Sequence, residues 1–534
     1  MDNVGSTGGT PIVPQVFARK ASGLIRRAGW FDVFSFNVLN GIGGIISVLM
    51  LSLIPAFYPG ANLALTTIIA TLVFVPMVVL YAKMSAVMPR SGGDYVYNSR
   101  MVHPAFGFAA NLGITLAVIF LVGTGGAYTA DYGIGPLLRV AGYYWSSQGL
   151  VNAGNWCTGS LGMFLLGIAV LIVFGALFLL GNMSVYWRVQ VVLMVLATVS
   201  LVIVVVWGLV ISRETAFAHI SATLGNLGGK SLAPLEKGTA PSFSLWQSFR
   251  ALLWPLFAIS GCIFSAYIGG EVKQPARSQS VGILGSMVWI AGMLILISTV
   301  MLHVFGTTFF ANLTLADPSK YGLTTAPGYA ELVGLGLGNG VVAVVFLAMF
   351  SVWGMTLTAI SVTVASRCIF AWSLDRIVPA WLSRVSSRWA SPYNAIIVLL
   401  ACGAGFGALF SWKWLTILGA TYGWYIAYWG VMAAAIILPY RHRSLWNASP
   451  GNTRFLGLPT LAFWGILYAP LSLFCLYLSA TDNYAGVSPI HNFGQFIVFP
   501  AIFAAGLAYY YIVGRVQRGR GIDIALNFGE IPPE

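Results

Sequence analysis

Charge is what this sequence has least of. Only 8% of its 534 residues are Asp, Glu, Lys or Arg, and 58% are hydrophobic. An ordinary soluble domain is about 25% charged, and a soluble chain this poor in charge could not cover its own surface. Soluble classes are excluded, and a polytopic membrane protein remains. Cysteine is scarce too. Cys157, Cys262, Cys368, Cys402 and Cys475 lie far apart with no CxxC pair, so neither a disulfide framework nor a zinc site is implied. Four of them read as small apolar helix residues and Cys157 as a loop residue. The histidines form no HxxxH or HExxH pair, and the acids near apolar stretches, Asp32, Asp131 and Glu271, are unclustered. A membrane-embedded enzyme needs such clusters, so neither catalysis nor a cofactor is expected. Passage of a small-molecule solute is the better reading.

Apolar spans, numbered here in chain order, fall near 31–56, 62–88, 105–138, 160–182, 187–211, 246–272, 279–305, 336–372, 392–410, 412–438, 460–480 and 493–514. The first 30 residues carry Arg19, Lys20, Arg26 and Arg27 but no apolar run long enough for a signal-peptide core, and read as a cytoplasmic tail. With the N-terminus inside, twenty of the 27 Lys and Arg fall in cytoplasmic segments and seven outside. That bias puts both termini in the cytoplasm, in a cell membrane. The net charge of +13 is thus topology in a lipid bilayer, and no nucleic-acid partner is expected. "GGKS" at 228–231 is not a phosphate loop, because the first glycine of GxxxxGK[ST] would fall at Leu224.

The first span reads "NVLNGIGGIIS" over 37–47, with Gly41, Gly43 and Gly44 near its middle. A glycine costs a helix interior about 0.8–1 kcal/mol relative to alanine, and an unpaired peptide in hydrocarbon has no water to bond. The sixth span has Pro255 ahead of Ser260-Gly261. Five spans apart, the two cross in opposite directions. Matched weak helices are the mark of inverted-repeat transporters, whose half-helix ends face a midplane site. The alternative is that small residues merely let helices pack closely.

"AKMSAVMPRSGGDYVYNSR" (82–100), "YIGGEVKQPAR" (267–277) and "ASRCIFAWSLDRIVPAWLSRVSSRWASP" (365–392) closely resemble the amino acid–polyamine–organocation (APC) superfamily. The resemblance implies an all-α LeuT-type fold of two inverted five-helix repeats plus two helices. Here these are a tail at 1–30, a first repeat at 31–211, an outer loop at 212–245, a second repeat at 246–438, two helices within 439–514 and a tail at 515–534. It also implies a substrate site. The carboxylate would meet amides of Ile42, Gly43 and Gly44, with Gly41 permitting the turn. The ammonium would meet carbonyls of Leu39, Phe257 and Ser260, beside Gly261. Phe257 stands where relatives place an aromatic lid, and Ser361 would face the side-chain pocket. Glu271 with Lys273, and Asp375 with Arg376, are expected to tie the cytoplasmic gate.

Two departures matter. Many relatives with cationic substrates have Glu two residues after the helix 6 glycine. Here Ile263 stands there, which favours a neutral or apolar substrate. Many proton-linked relatives carry a lysine in the pattern Q-x6-K, whereas Gln190 is followed by Ala197. The coupling ion stays open between proton and sodium. Asp131 is a candidate titrating group or a structural cap, and Thr356 and Thr358 are candidate sodium ligands unless they bond their own helix. The expectation is a permease for an amino acid or related amine. An obligate exchanger is the alternative, and a sensor without flux is disfavoured by short tails.

Overall fold

The computed structural model describes residues 26–529 apart from 182, 387–390, 415–422, 485–487 and 490–492. Most of the N-terminal tail, with Arg19 and Lys20, part of the third APC-like stretch, the start of span 10 and the last five residues lie outside the described residues. Among the described residues, eleven helical segments are long and apolar enough to cross a membrane, and Trp424–Arg441 supplies the described helix of span 10.

Span 1 is two helices, Trp30–Asn40 and Gly43–Phe57. Span 6 runs through Leu253–Ser260 and then tightens into a 3₁₀ turn, Gly261–Tyr267. The long third span is Pro104–Thr129 and Gly135–Tyr144 joined by a π turn, Ala130–Ile134, so its excess length is absorbed by a bulge. Span 8, Gly340–Leu374, is unbroken, and Asn339 caps it by accepting from the amides of Val341 and Val342. Cys157, expected in a loop, sits in a short helix, Gln148–Thr158. The long connections after spans 5 and 7 also hold helices, Arg213–Gly225, Thr307–Leu315 and Tyr329–Gly336.

The helices sort into two packed groups. Span 7 (Pro275–Phe305) lies along span 2 (Leu63–Val87) and span 1, and span 6 packs on both halves of span 1. Span 3 lies along spans 8, 9 (Tyr393–Ser411) and 4 (Ser160–Leu180). Spans 1, 2, 6 and 7 thus form one body and spans 3, 4, 8 and 9 the other, with the breaks between them. The N-terminal strand residue Ala28 pairs with Val272 after span 6, and Asn527 near the other end bonds the carbonyl of Asp375 after span 8. Both ends therefore gather on one face of the bundle, called here the terminal face.

Candidate substrate site and its gates

The two breaks touch. A Cβ on Gly261 would lie 2.4 Å from the amide nitrogen of Gly41, and one on Gly41 would lie 2.7 Å from the carbonyl of Ala258. A Cβ on Gly44 would strike the Trp353 ring at 2.5 Å. These three glycines permit close approach, as the packing alternative supposes. Gly43 differs: a Cβ there would meet nothing within 4 Å, although the residue is buried. Gly41 was expected to supply the turn, but it has ordinary helical angles. The left-handed residue is Ile42, at φ 39° and ψ 43°. A β-branched residue held there stores about 1–3 kcal/mol of strain, and it is held between Gly41, jammed against span 6, and a new helix.

That turn decides which peptide groups are free. The amides of Gly41 and Ile42 donate to Asn37 and Leu39, and that of Ile46 donates to Ile42. Gly43, Gly44 and Ile45 form the first turn of the second half-helix, where amides have no intrahelical acceptor and the helix dipole is positive. The anion cradle is therefore displaced by one residue from the expected one, with Ile45 in place of Ile42. On the carbonyl side, Leu39 accepts from Ile42, and Phe257 accepts from the Ser260 hydroxyl at 2.7 Å. Both carbonyls are thus engaged, which falls short of the open row of carbonyls expected from a fully unwound span 6.

Several site residues went unnoticed in the sequence. Asn37 accepts from the Ser265 amide and donates to the Ser265 hydroxyl, which donates to Gln279 at 2.7 Å. Asn40 donates to the carbonyl of Gly261 at 3.4 Å. Span 1 is thereby stitched to spans 6 and 7 by buried amides, whose presence in apolar runs was the available signal. Trp353 and Tyr329 close over the cradle, the Tyr329 hydroxyl reaching the carbonyl of Gly44 at 3.4 Å.

Phe257 and Ser260 turn toward span 10. The Phe257 ring stacks on Trp424 at 5.7 Å between centroids, and both residues line a gap of about 20 Å³ with Phe74, Tyr428 and Tyr468. The Ser361 hydroxyl is buried without a hydrogen bond, two turns along span 8 from Trp353. The paired threonines are not brought together. Thr356 faces a gap of about 10 Å³ beside Leu39, Tyr186 and Gln190, and its hydroxyl donates back to Val352. Thr358 points to span 3 and donates to Val122 at 3.0 Å, because residues two apart lie on opposite sides of a helix.

The terminal face is closed by ties other than those expected. Glu271 pairs with Arg367 rather than Lys273, at 2.7 Å, with side chains 3% and 0% exposed. Asp375 pairs with Arg100 rather than Arg376, at 2.7 Å, and accepts from Tyr95 at 2.5 Å. Arg27 and Ala28 donate their amides to the carbonyl of Glu271, and Lys273 returns a bond to Ala28. On the opposite face Arg139 grips Glu331 through two bonds of 2.7 Å. Asp131, a candidate cap, makes no capping bond. It sits in the π turn and lines a cavity of about 250 Å³ with Val48, Ser52, Arg139, Thr314 and Glu331. The cavity reaches within a turn of Gly44 in the half-helix that carries the free amides.

A family model described as amino acid permease matches residues 29–518. The chain belongs to that family, within the APC superfamily. Its relatives include a branched-chain amino acid permease of Lactococcus lactis subsp. cremoris, 25% identical over 80% of this chain and 86% of the relative. An uncharacterised transporter of Mycobacterium tuberculosis is 25% identical over 72% of this chain and 74% of its own length. The permease is thus a multi-pass membrane transporter of LeuT type. Its matched region takes in both broken spans, the π turn and the Glu271–Arg367, Asp375–Arg100 and Arg139–Glu331 pairs.

Proposed function

We propose that this permease is a secondary transporter that moves a neutral, apolar amino acid by alternating access. The observation that carries the reading is the set of three amides without intrahelical acceptors, at Gly43, Gly44 and Ile45, beside open space at Gly43. They can hold a carboxylate at the positive end of a half-helix. In this reading the carbonyls of Leu39, Phe257 and Ser260 receive the ammonium, with Gly41 and Gly261 locking the two breaks together. The Phe257–Trp424 stack walls the span 10 side. Buried Ile263 offers no charge to a basic side chain. The Lactococcus relative's name points to the same substrate class. The positive-inside bias assigns the terminal face to the cytoplasm, which makes the Asp131 cavity the outer entrance and the Glu271 and Asp375 pairs the inner gate.

The test is a thermal-shift screen of the purified protein against amino acids, polyamines and nucleobases, followed by counterflow of the hits in liposomes. Stabilisation and counterflow by branched-chain or other apolar amino acids, lost with their amides or esters, is the expected result. Binding confined to polyamines or nucleobases would overturn the reading.

A further inference from the structure

A third carboxylate at the terminal face, Asp94, takes no part in these ion pairs. Asp94 begins the short helix Asp94–Met101 and is wholly buried. One of its oxygens accepts from Asn111 at 2.8 Å, and the other makes no hydrogen bond of ordinary geometry. Its neighbours are Tyr81 of span 2, Tyr97 of its own helix, Tyr267 of span 6, Tyr428 of span 10 and the Cys368 thiol of span 8. Glu271 and Asp375 each face an arginine, but the arginine of Asp94's own helix, Arg100, is taken by Asp375. No cation among the described residues acts on Asp94, and a buried carboxylate so placed is held most cheaply as the neutral acid.

Asp94 also bridges the two packed bodies. Its loop is fastened to span 6, where Gly92 donates to the carbonyl of Tyr267 at 2.9 Å and Ser91 pairs with Ile268. Its partner Asn111 belongs to the other body, where Trp372 of span 8 donates to it at 2.8 Å. The helix that Asp94 begins packs on spans 3 and 10, so parting the bodies at this face draws Tyr267 of span 6 away from Asp94 and admits water to the carboxyl.

We infer that Asp94 is a proton-binding site of the terminal-face gate, and that its occupancy by a proton holds that gate shut. The inference rests on the alternating-access reading above. Burial pushes the Asp94 carboxyl up to about 7 in the closed state, against the favourable pull of Tyr267 and Asn111. Wetted in the open state, it returns toward about 4. The closed state therefore binds the proton more tightly, and acid on the terminal side favours closure. With a closed-state value of about 7, lowering that pH from 8 to 6 multiplies the closed-to-open ratio about tenfold.

The native Cys368 thiol, 3.8 Å from Asn111, reports whether this seam is open. Its alkylation rate is measured in proteoliposomes with the other four cysteines replaced by alanine, at terminal-side pH 6 to 8. Rates are corrected for the thiolate fraction of a free thiol. Opening is expected to fall about tenfold from pH 8 to pH 6. Asp94→Asn should stay closed at both, and Tyr267→Phe should move the midpoint upward. A corrected rate independent of pH in the unmodified gate overturns the inference, as does an Asp94→Asn protein that keeps the pH profile. If Asp94→Asn fails to fold, an unshifted midpoint in Tyr267→Phe does the same. Amino acid counterflow, run in parallel, separates the two ideas: its absence defeats the transport reading, whereas the alkylation profile alone decides the role of Asp94.

Discussion

Replacing Glu271 by Gln should unlock the terminal face. The Glu271–Arg367 pair is almost wholly buried, and it joins the end of span 6 to span 8, one from each packed body. Removing one partner of a buried pair leaves an uncompensated charge and costs about 3–5 kcal/mol. If the bodies part at this face, the pair is wetted and the charge is no longer stranded, so most of that cost falls on the closed state. The closed-to-open ratio should then fall on the order of 10²- to 10³-fold. Glutamine keeps the shape, and the backbone bonds from Arg27 and Ala28 to residue 271 need no carboxylate. Alkylation of a lone Cys368 from the terminal side is the assay, and an increase of at least tenfold in Glu271→Gln is expected. The double variant Glu271→Gln/Arg367→Gln should fall between, since it strands no charge. An unchanged rate in a monodisperse Glu271→Gln protein would refute the assignment of this pair to a gate.

The glycines should separate by role. Gly43→Ala should keep a thermal midpoint within a few degrees of the parent and weaken substrate binding, and Gly43→Val should abolish it, whereas Gly44→Ala and Gly261→Ala should lower the midpoint outright, given the contacts of 2.5 and 2.4 Å awaiting them. Undiminished affinity in folded Gly43→Val would reduce Gly43 to a packing residue. Thr358→Ala should cost about 1 kcal/mol in stability by losing its bond to Val122. Neither it nor Thr356→Ala should alter the response of liposome uptake to an imposed sodium gradient. Sodium-driven uptake abolished by both would restore the pair as ion ligands.

Composition alone placed this chain in a membrane, because 8% charge cannot face water over 534 residues. Hydropathy located its spans, and the glycines with Pro255 located its two breaks, since only unusual residues weaken a helix inside a bilayer. Family motifs then supplied the fold. What the sequence could not provide was partnership. Glu271 lies two residues from Lys273 yet pairs with Arg367, 96 positions away. Asp375 adjoins Arg376 yet takes Arg100. Chain proximity says little about which charge will share a buried site, because the site is made by helices that meet only in the folded bundle. The same holds at the breaks. Sequence marked four glycines alike, and packing made three of them contacts and left Gly43 facing open space. It also put the left-handed turn on Ile42, so that the free amides begin one residue later than a motif would place them. Local composition fixes where a helix can yield, but the neighbours pressed against it decide which peptide groups are left without partners.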